Sequence, residues 1–72
     1  MNEVTVFTLE EHPYIELKNL LKVLGWCEHG GMAKQAIVDG QVRVDGEVEL
    51  RKGRKIEAGQ IVTYAGRSVR VT

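Results

Sequence analysis

Apolar residues recur with two different periods along the chain. Leu17, Leu20, Leu21 and Leu24 stand at i, i+3, i+4 and i+7, which places them on one stripe of a helix. The spacing predicts a helix over 16–24, with Lys18 and Lys22 four apart on another face. Gly25 is its expected stop, because glycine takes the left-handed C-terminal conformation without a Cβ clash. Met32, Ala33, Ala36 and Ile37 give a narrower apolar face to a second helix, from about Gly31 to Asp39, which Gly40 ends in the same way. Two short helices joined by the connector 26–31 read as a helix-turn-helix-like corner.

The rest of the chain alternates or is rich in β-branched residues. Val4 to Leu9 predicts a strand, buried on both faces or bent at a sheet edge, and Pro13 lies beyond its end. Gln41–Val44 and Glu47–Leu50 alternate on either side of Asp45-Gly46, a strong turn signal. A two-residue turn would set Val48 against Arg43, on the solvent face. A three-residue connection aligns Val42 and Val44 with Leu50 and Val48, so it is the expected one, since a one-residue slip exposes a whole apolar set. Ile61–Tyr64 and Ser68–Val71 form a last hairpin around Gly66-Arg67. The sum is an α+β fold: two short helices packed on a small, mostly antiparallel sheet.

Length allows one domain over 1–72, with a thin core. The chain is 43% hydrophobic and 28% charged, the balance of a folded soluble protein rather than a disordered one. No apolar run approaches a membrane span, and Met1–Val6 has neither a basic leader nor a secretory segment. The single cysteine, Cys27, fits a reducing compartment, and a cytoplasmic location is expected. Formal net charge is zero, but the charge is polarised. Residues 1–33 carry two cations against five carboxylates, whereas residues 50–72 carry six cations against Glu57 alone. Such asymmetry points the basic end toward an anionic partner.

Catalytic chemistry finds little support. Cys27 and His29 share a short connector with no third member to orient a base. The same pair lacks the second ligand cluster that a tetrahedral metal site requires. Glu10-Glu11 and Glu47/Glu49 read as solvated loop and strand faces. The expectation is a protein with no enzymatic activity, cofactor, metal or small-molecule substrate.

Anion binding is better served. Gly30-Gly31 precede a helix that carries Lys34 in its first turn, and helix N-termini offer unpaired N–H groups to phosphates. The glycines could equally serve only the helix–helix corner. Arg51-Lys52-Gly53-Arg54-Lys55 places four cations in five residues. That run can track a phosphate backbone or be a solvated face. Arg43 faces solvent from its strand, and spacing alone leaves open whether it adjoins the loop. Tyr14, Trp26 and Tyr64 are the stacking candidates, with core packing the expected role of Trp26.

The order of parts is itself informative. Leu17–Lys22, Gly30-Gly31-Met32-Ala33-Lys34, Ile37–Gly46, Arg51–Ile56 and Gly59 together resemble the S4 RNA-binding domain, above all its small stand-alone bacterial members. The resemblance covers roughly residues 15 to 62. It implies an αL-shaped RNA-binding surface made by the two helices and the following hairpin. Carried over by position, it assigns RNA contacts to Gly30, Gly31, Lys34, Arg43, Arg51, Lys52, Arg54 and Lys55; Lys18 and Lys22 of the first helix are further candidate RNA contacts. Glu16 stands where many members carry arginine. The implied partner is structured RNA, ribosomal or transfer RNA among the options, bound by a monomer without a membrane. The alternative is a protein-interaction module that docks an acidic partner.

Overall fold

The computed structural model describes residues 4–72. Met1, Asn2 and Glu3, which open the segment read above as leaderless, lie outside the described residues. The elements follow one another as β1 (Val4–Phe7), β2 (Ile15–Glu16), α1 (Leu17–Val23), α2 (Gly30–Val38), β3 (Val42–Val44), β4 (Glu47–Val48), β5 (Lys55–Ile56), β6 (Ile61–Tyr64) and β7 (Arg67–Val71). Five strands form a sheet in the order β1-β7-β6-β3-β4, and β2 pairs with β5 in a separate two-stranded ribbon. All pairings are antiparallel except that of β1 with β7. The architecture is therefore the expected α+β one.

Alternation puts Val42, Val44, Val62, Val69 and Val71 on the inner face of the sheet, where all are buried. They share one core with Leu17, Leu20 and Leu21 of α1 and with Ala33, Ala36 and Ile37 of α2. Met32, expected on that face, is largely exposed. Each helical residue turns the chain by about 100°, so the contact stripe is narrow, and here it falls on the two alanines and Ile37. Both helices stop as expected. The N–H of Gly25 bonds Lys22 O and that of Trp26 bonds Leu21 O, while Gly40 and Gln41 do the same to Ile37 and Ala36. These are Schellman motifs, and the φ of +77° at Gly25 and +78° at Gly40 is the left-handed angle they need.

β1 is an edge strand, with Val4 and Val6 exposed on the outer face. The ribbon of β2 and β5 had no sequence signal, because two-residue strands have no period to read.

Two turns differ from expectation. Arg43 pairs with Val48 and Val44 with Glu47, so the connection is the two-residue Asp45-Gly46 turn and not a three-residue one. Both turn residues have positive φ, 51° and 86°, the type I′ form whose twist suits a hairpin. Asp45 is held there by its own side chain, which accepts from Ile61 N at 2.9 Å, while its N–H bonds Ile61 O at 2.8 Å. The cost is the one foreseen: Val48 is 46% and Leu50 58% exposed. It is accepted because the inward position between them belongs to Glu49. The last hairpin likewise turns at Ala65-Gly66 rather than Gly66-Arg67, since Tyr64 pairs with Arg67.

Ala65 sits at φ 53°, a left-handed angle that costs an L-residue with a Cβ about 1–2 kcal/mol. Glycine there removes that strain and gives back about 0.5–1 kcal/mol through unfolded-chain entropy. Ala65→Gly should therefore raise stability by roughly 0.5 kcal/mol, seen as a higher urea midpoint at unchanged m-value. A lowered midpoint would contradict the turn assignment.

Candidate nucleic-acid interface

After the outward-facing Val48 of β4, strand alternation turns a carboxylate inward. Glu49 bonds Val42 O through its N–H and is only 7% exposed, the sole charged residue buried among those described. The reading of Glu49 as a solvated strand face is thereby corrected. A buried carboxylate needs hydrogen-bonded partners, and the basic loop supplies them. Glu49 Oε2 accepts from Arg51 N at 3.0 Å and Arg51 Nε at 2.9 Å. Its Oε1 accepts from Arg51 Nη2 at 3.2 Å and from Arg54 Nη1. The Arg51 side-chain bonds, above all, hold the Glu49 carboxyl at about 2 against an ordinary 4.5, overcoming the opposing effect of burial.

The loop so anchored caps the first helix. Glu16, at the N-cap of α1, makes no side-chain cap bond. The orphan N–H groups of Leu17 and Lys18 are instead satisfied by Arg54 O at 2.8 Å and Lys52 O at 3.2 Å. β2 pairs with β5 at the same place, putting Glu16 opposite Lys55. The start of α1 and the 51–55 segment thus form one body. It gathers Lys18, Arg51, Lys52, Arg54 and Lys55 against two carboxylates, Glu49 and Glu16, the latter 3.7 Å from Lys18. Arg51, Gly53, Arg54 and Lys55 line a shallow concavity on its surface.

The remaining assigned residues take no part in the hydrogen bonds and ion pairs that build this ridge. Lys22 lies one turn further along α1, beside a groove that also borders Phe7 and Glu10. At α2, the His29 side chain caps the helix by accepting from Met32 N at 3.2 Å. The N–H groups of Gly30 and Gly31 have no partner among the described residues. A Cβ at Gly31 would sit 3.4 Å from His29 Nδ1, so a side chain there would press on the cap. Lys34 is exposed on the same helix. Arg43 projects from the outer sheet face, as expected, and its Nη1 donates to Gly46 O at the hairpin tip. The basic loop leaves the hairpin at the opposite, open end. Trp26 and Tyr64 stack on each other at 6.5 Å against the core.

Sequence reasoning missed Glu49. The signal was present in the register that would not close: the Asp45-Gly46 turn turns Glu49 inward, two and five residues before the arginines that meet it.

Comparison with known proteins agrees with this architecture. The family model described as S4 domain matches residues 7–72, a longer span than the 15–62 that carried the resemblance. The YbcJ proteins of Escherichia coli (strain K12) and Shigella flexneri are each 56% identical over 68 residues, covering 94% of this chain and 97% of theirs. The solution structure of Escherichia coli YbcJ superposes with a TM-score of 0.74 at 54% identity, over 100% of this chain and 91% of that one. It is described as revealing an αL motif involved in RNA binding.

The Glu49 clamp predicts a pH signature. Its carboxyl titrates near 2 in the fold and near 4.5 when unfolded. Its stabilisation is therefore complete above the unfolded value and vanishes as pH falls through the folded one. Glu49→Gln should cost about 1–3 kcal/mol at neutral pH, by chemical denaturation, and the gap to wild type should close between about pH 4.5 and 2. A gap that does not change with pH would rule out the clamp.

Proposed function

This chain belongs to the S4 domain family, and from that premise we propose that it binds structured RNA through the ridge built from the start of α1 and the 51–55 loop. The observation that carries this reading is the pile-up of five cations, offset by two carboxylates, on one rigid body. Glu49 engages only part of each guanidinium, and Arg51 keeps 73% of its side chain exposed. Arginine N–H groups that remain free can fork onto phosphate oxygens. Because the clamp already fixes both arginines, binding loses little of their rotamer entropy. Lys18, Lys52 and Lys55 add point charges around them.

Gly30 and Gly31, with two free N–H groups, and Lys34 form a second phosphate contact in this reading. Lys22 and Arg43 lie at the margins. A-form RNA hides its base edges in a deep groove, so such a ridge reads phosphates and shape, as in ribosomal or transfer RNA. No helix among the described residues is long and apolar enough to cross a membrane.

One observation favours the second reading, a module that docks an acidic protein. The outer sheet face presents Arg43, Arg70, Val4, Val6 and Ile61, and no carboxylate points from that face among the described residues. The ridge carries the denser charge, and the RNA reading rests on it.

The test uses lysines, because reversing Arg51 and Arg54 would surround Glu49 with carboxylates and unfold the loop. Neither Lys52 nor Lys55 bonds Glu49. Lys52→Glu with Lys55→Glu should weaken binding to a structured RNA by about tenfold or more at low salt. The slope of log affinity against log salt should shrink by about 1–2, in a variant that circular dichroism shows still folded, since Glu16 opposite residue 55 lowers its thermal midpoint. Wild-type affinity that ignores salt would overturn the reading.

A further inference from the structure

The three aromatic stacking candidates have separate fates. Trp26 and Tyr64 face each other, 29° from parallel, and are packed against the core. Tyr14 is 37% exposed and belongs to no core cluster. Its ring is tied to the basic ridge, because Lys55 Nζ sits 5.0 Å from the ring centroid. Tyr14 also lines an open cleft of about 410 Å³, together with His12, Glu16 and Asn19.

The polar groups in that cleft are largely unspent. The Asn19 side chain is half-buried and has no hydrogen-bond partner among the described residues. Glu16 holds the N-cap position of α1 without capping it. Its carboxylate meets only Lys18, at 3.7 Å, too far for a hydrogen bond. An aromatic face, an amide that both donates and accepts, and an acceptor-only carboxylate are the parts of a nucleobase site. Two cleft residues adjoin ridge cations, Glu16 with Lys18 and Tyr14 with Lys55, so a base entering the cleft would keep its own phosphate near the ridge.

We propose that this cleft holds one unpaired nucleobase of the bound RNA, stacked on Tyr14 and read at its edge by Asn19 and Glu16, a site that presupposes the RNA reading above. Uracil offers the acceptor-only carboxylate one donor, N3–H, flanked by two carbonyl oxygens that the carboxylate repels, so the site favours a base with an exocyclic amino group. A perfect duplex offers no base to the cleft. The protein should therefore prefer RNA with a bulge or junction, by the stacking contribution of one base.

The experiment compares an RNA duplex of about 12 base pairs with the same duplex carrying one bulged adenosine or one bulged uridine. Binding of full-length protein is measured for wild type, Tyr14→Ala and Tyr14→Phe. Wild type and Tyr14→Phe should bind the bulged adenosine about tenfold more tightly than the plain duplex, with the uridine bulge between them. Tyr14→Ala should bind all three alike, at the plain-duplex affinity and with an unchanged thermal midpoint. If wild type binds plain and bulged duplexes equally, the base site is wrong and the phosphate ridge stands. A bulge preference that survives in Tyr14→Ala also overturns the site. If no RNA binds, the ridge falls and the cleft with it.

Discussion

The carboxylate of Glu49, shared between Arg51 and Arg54, is the interaction on which the rest of the interface depends. Desolvating a carboxylate is costly, and nothing in the apolar core could offset it. Two guanidinium groups and a backbone N–H do so, all from the next five residues of chain. The same bonds bend the chain after β4 into a compact loop. That loop then presents the carbonyls of Lys52 and Arg54 to the open end of α1. One buried charge thus sets the hairpin register, the shape of the basic loop and the capping of a helix that lacks a side-chain cap of its own.

The clamp also accounts for an arrangement that would otherwise be unfavourable. Five cations around the positive end of a helix repel one another and the helix dipole. Glu49 and Glu16 offset part of this, and the remainder is left to be neutralised from outside. The chain has no net charge, yet its ridge does. Folding gathers five cations, Lys18 from the acidic first part of the chain and four from the 51–55 loop, around two carboxylates. A sequence total of zero therefore says nothing against an anionic ligand.

How much of this was legible in the sequence differs by element. The leucine spacing of α1 and the two terminal glycines located the helices to within a residue, because helix period and left-handed stops are local properties. The basic loop was legible as composition, and the ordered set of motifs identified the family. Turn placement failed at both hairpins, each for a local reason. Ala65 takes a left-handed angle that alanine seldom adopts, so its turn was placed one residue late. At Asp45-Gly46 the apolar pattern of Val48 and Leu50 pointed to the core, but the buried position went to the acid between them. No pattern rule ranks a glutamate above two aliphatic residues for the interior; only the two arginines downstream, in three dimensions, make it the better choice.

That reversal also divides the basic residues by role. Arg51 and Arg54 have little freedom, because each is bonded to a carboxylate that is itself fixed by the sheet. Lysines 18, 52 and 55 make no hydrogen bond to a carboxylate; Lys18 is 3.7 Å from Glu16 and Lys55 lies over the Tyr14 ring, and all three carry compact, hydrated charges on flexible stems. Recognising the shape of an A-form groove asks for a few charges at set positions, since a wholly mobile cluster would follow any polyanion. Rigid arginines at the centre with mobile lysines around them meet that demand. In the proposed RNA-binding role, such a ridge would read shape and charge rather than the edge of a paired base.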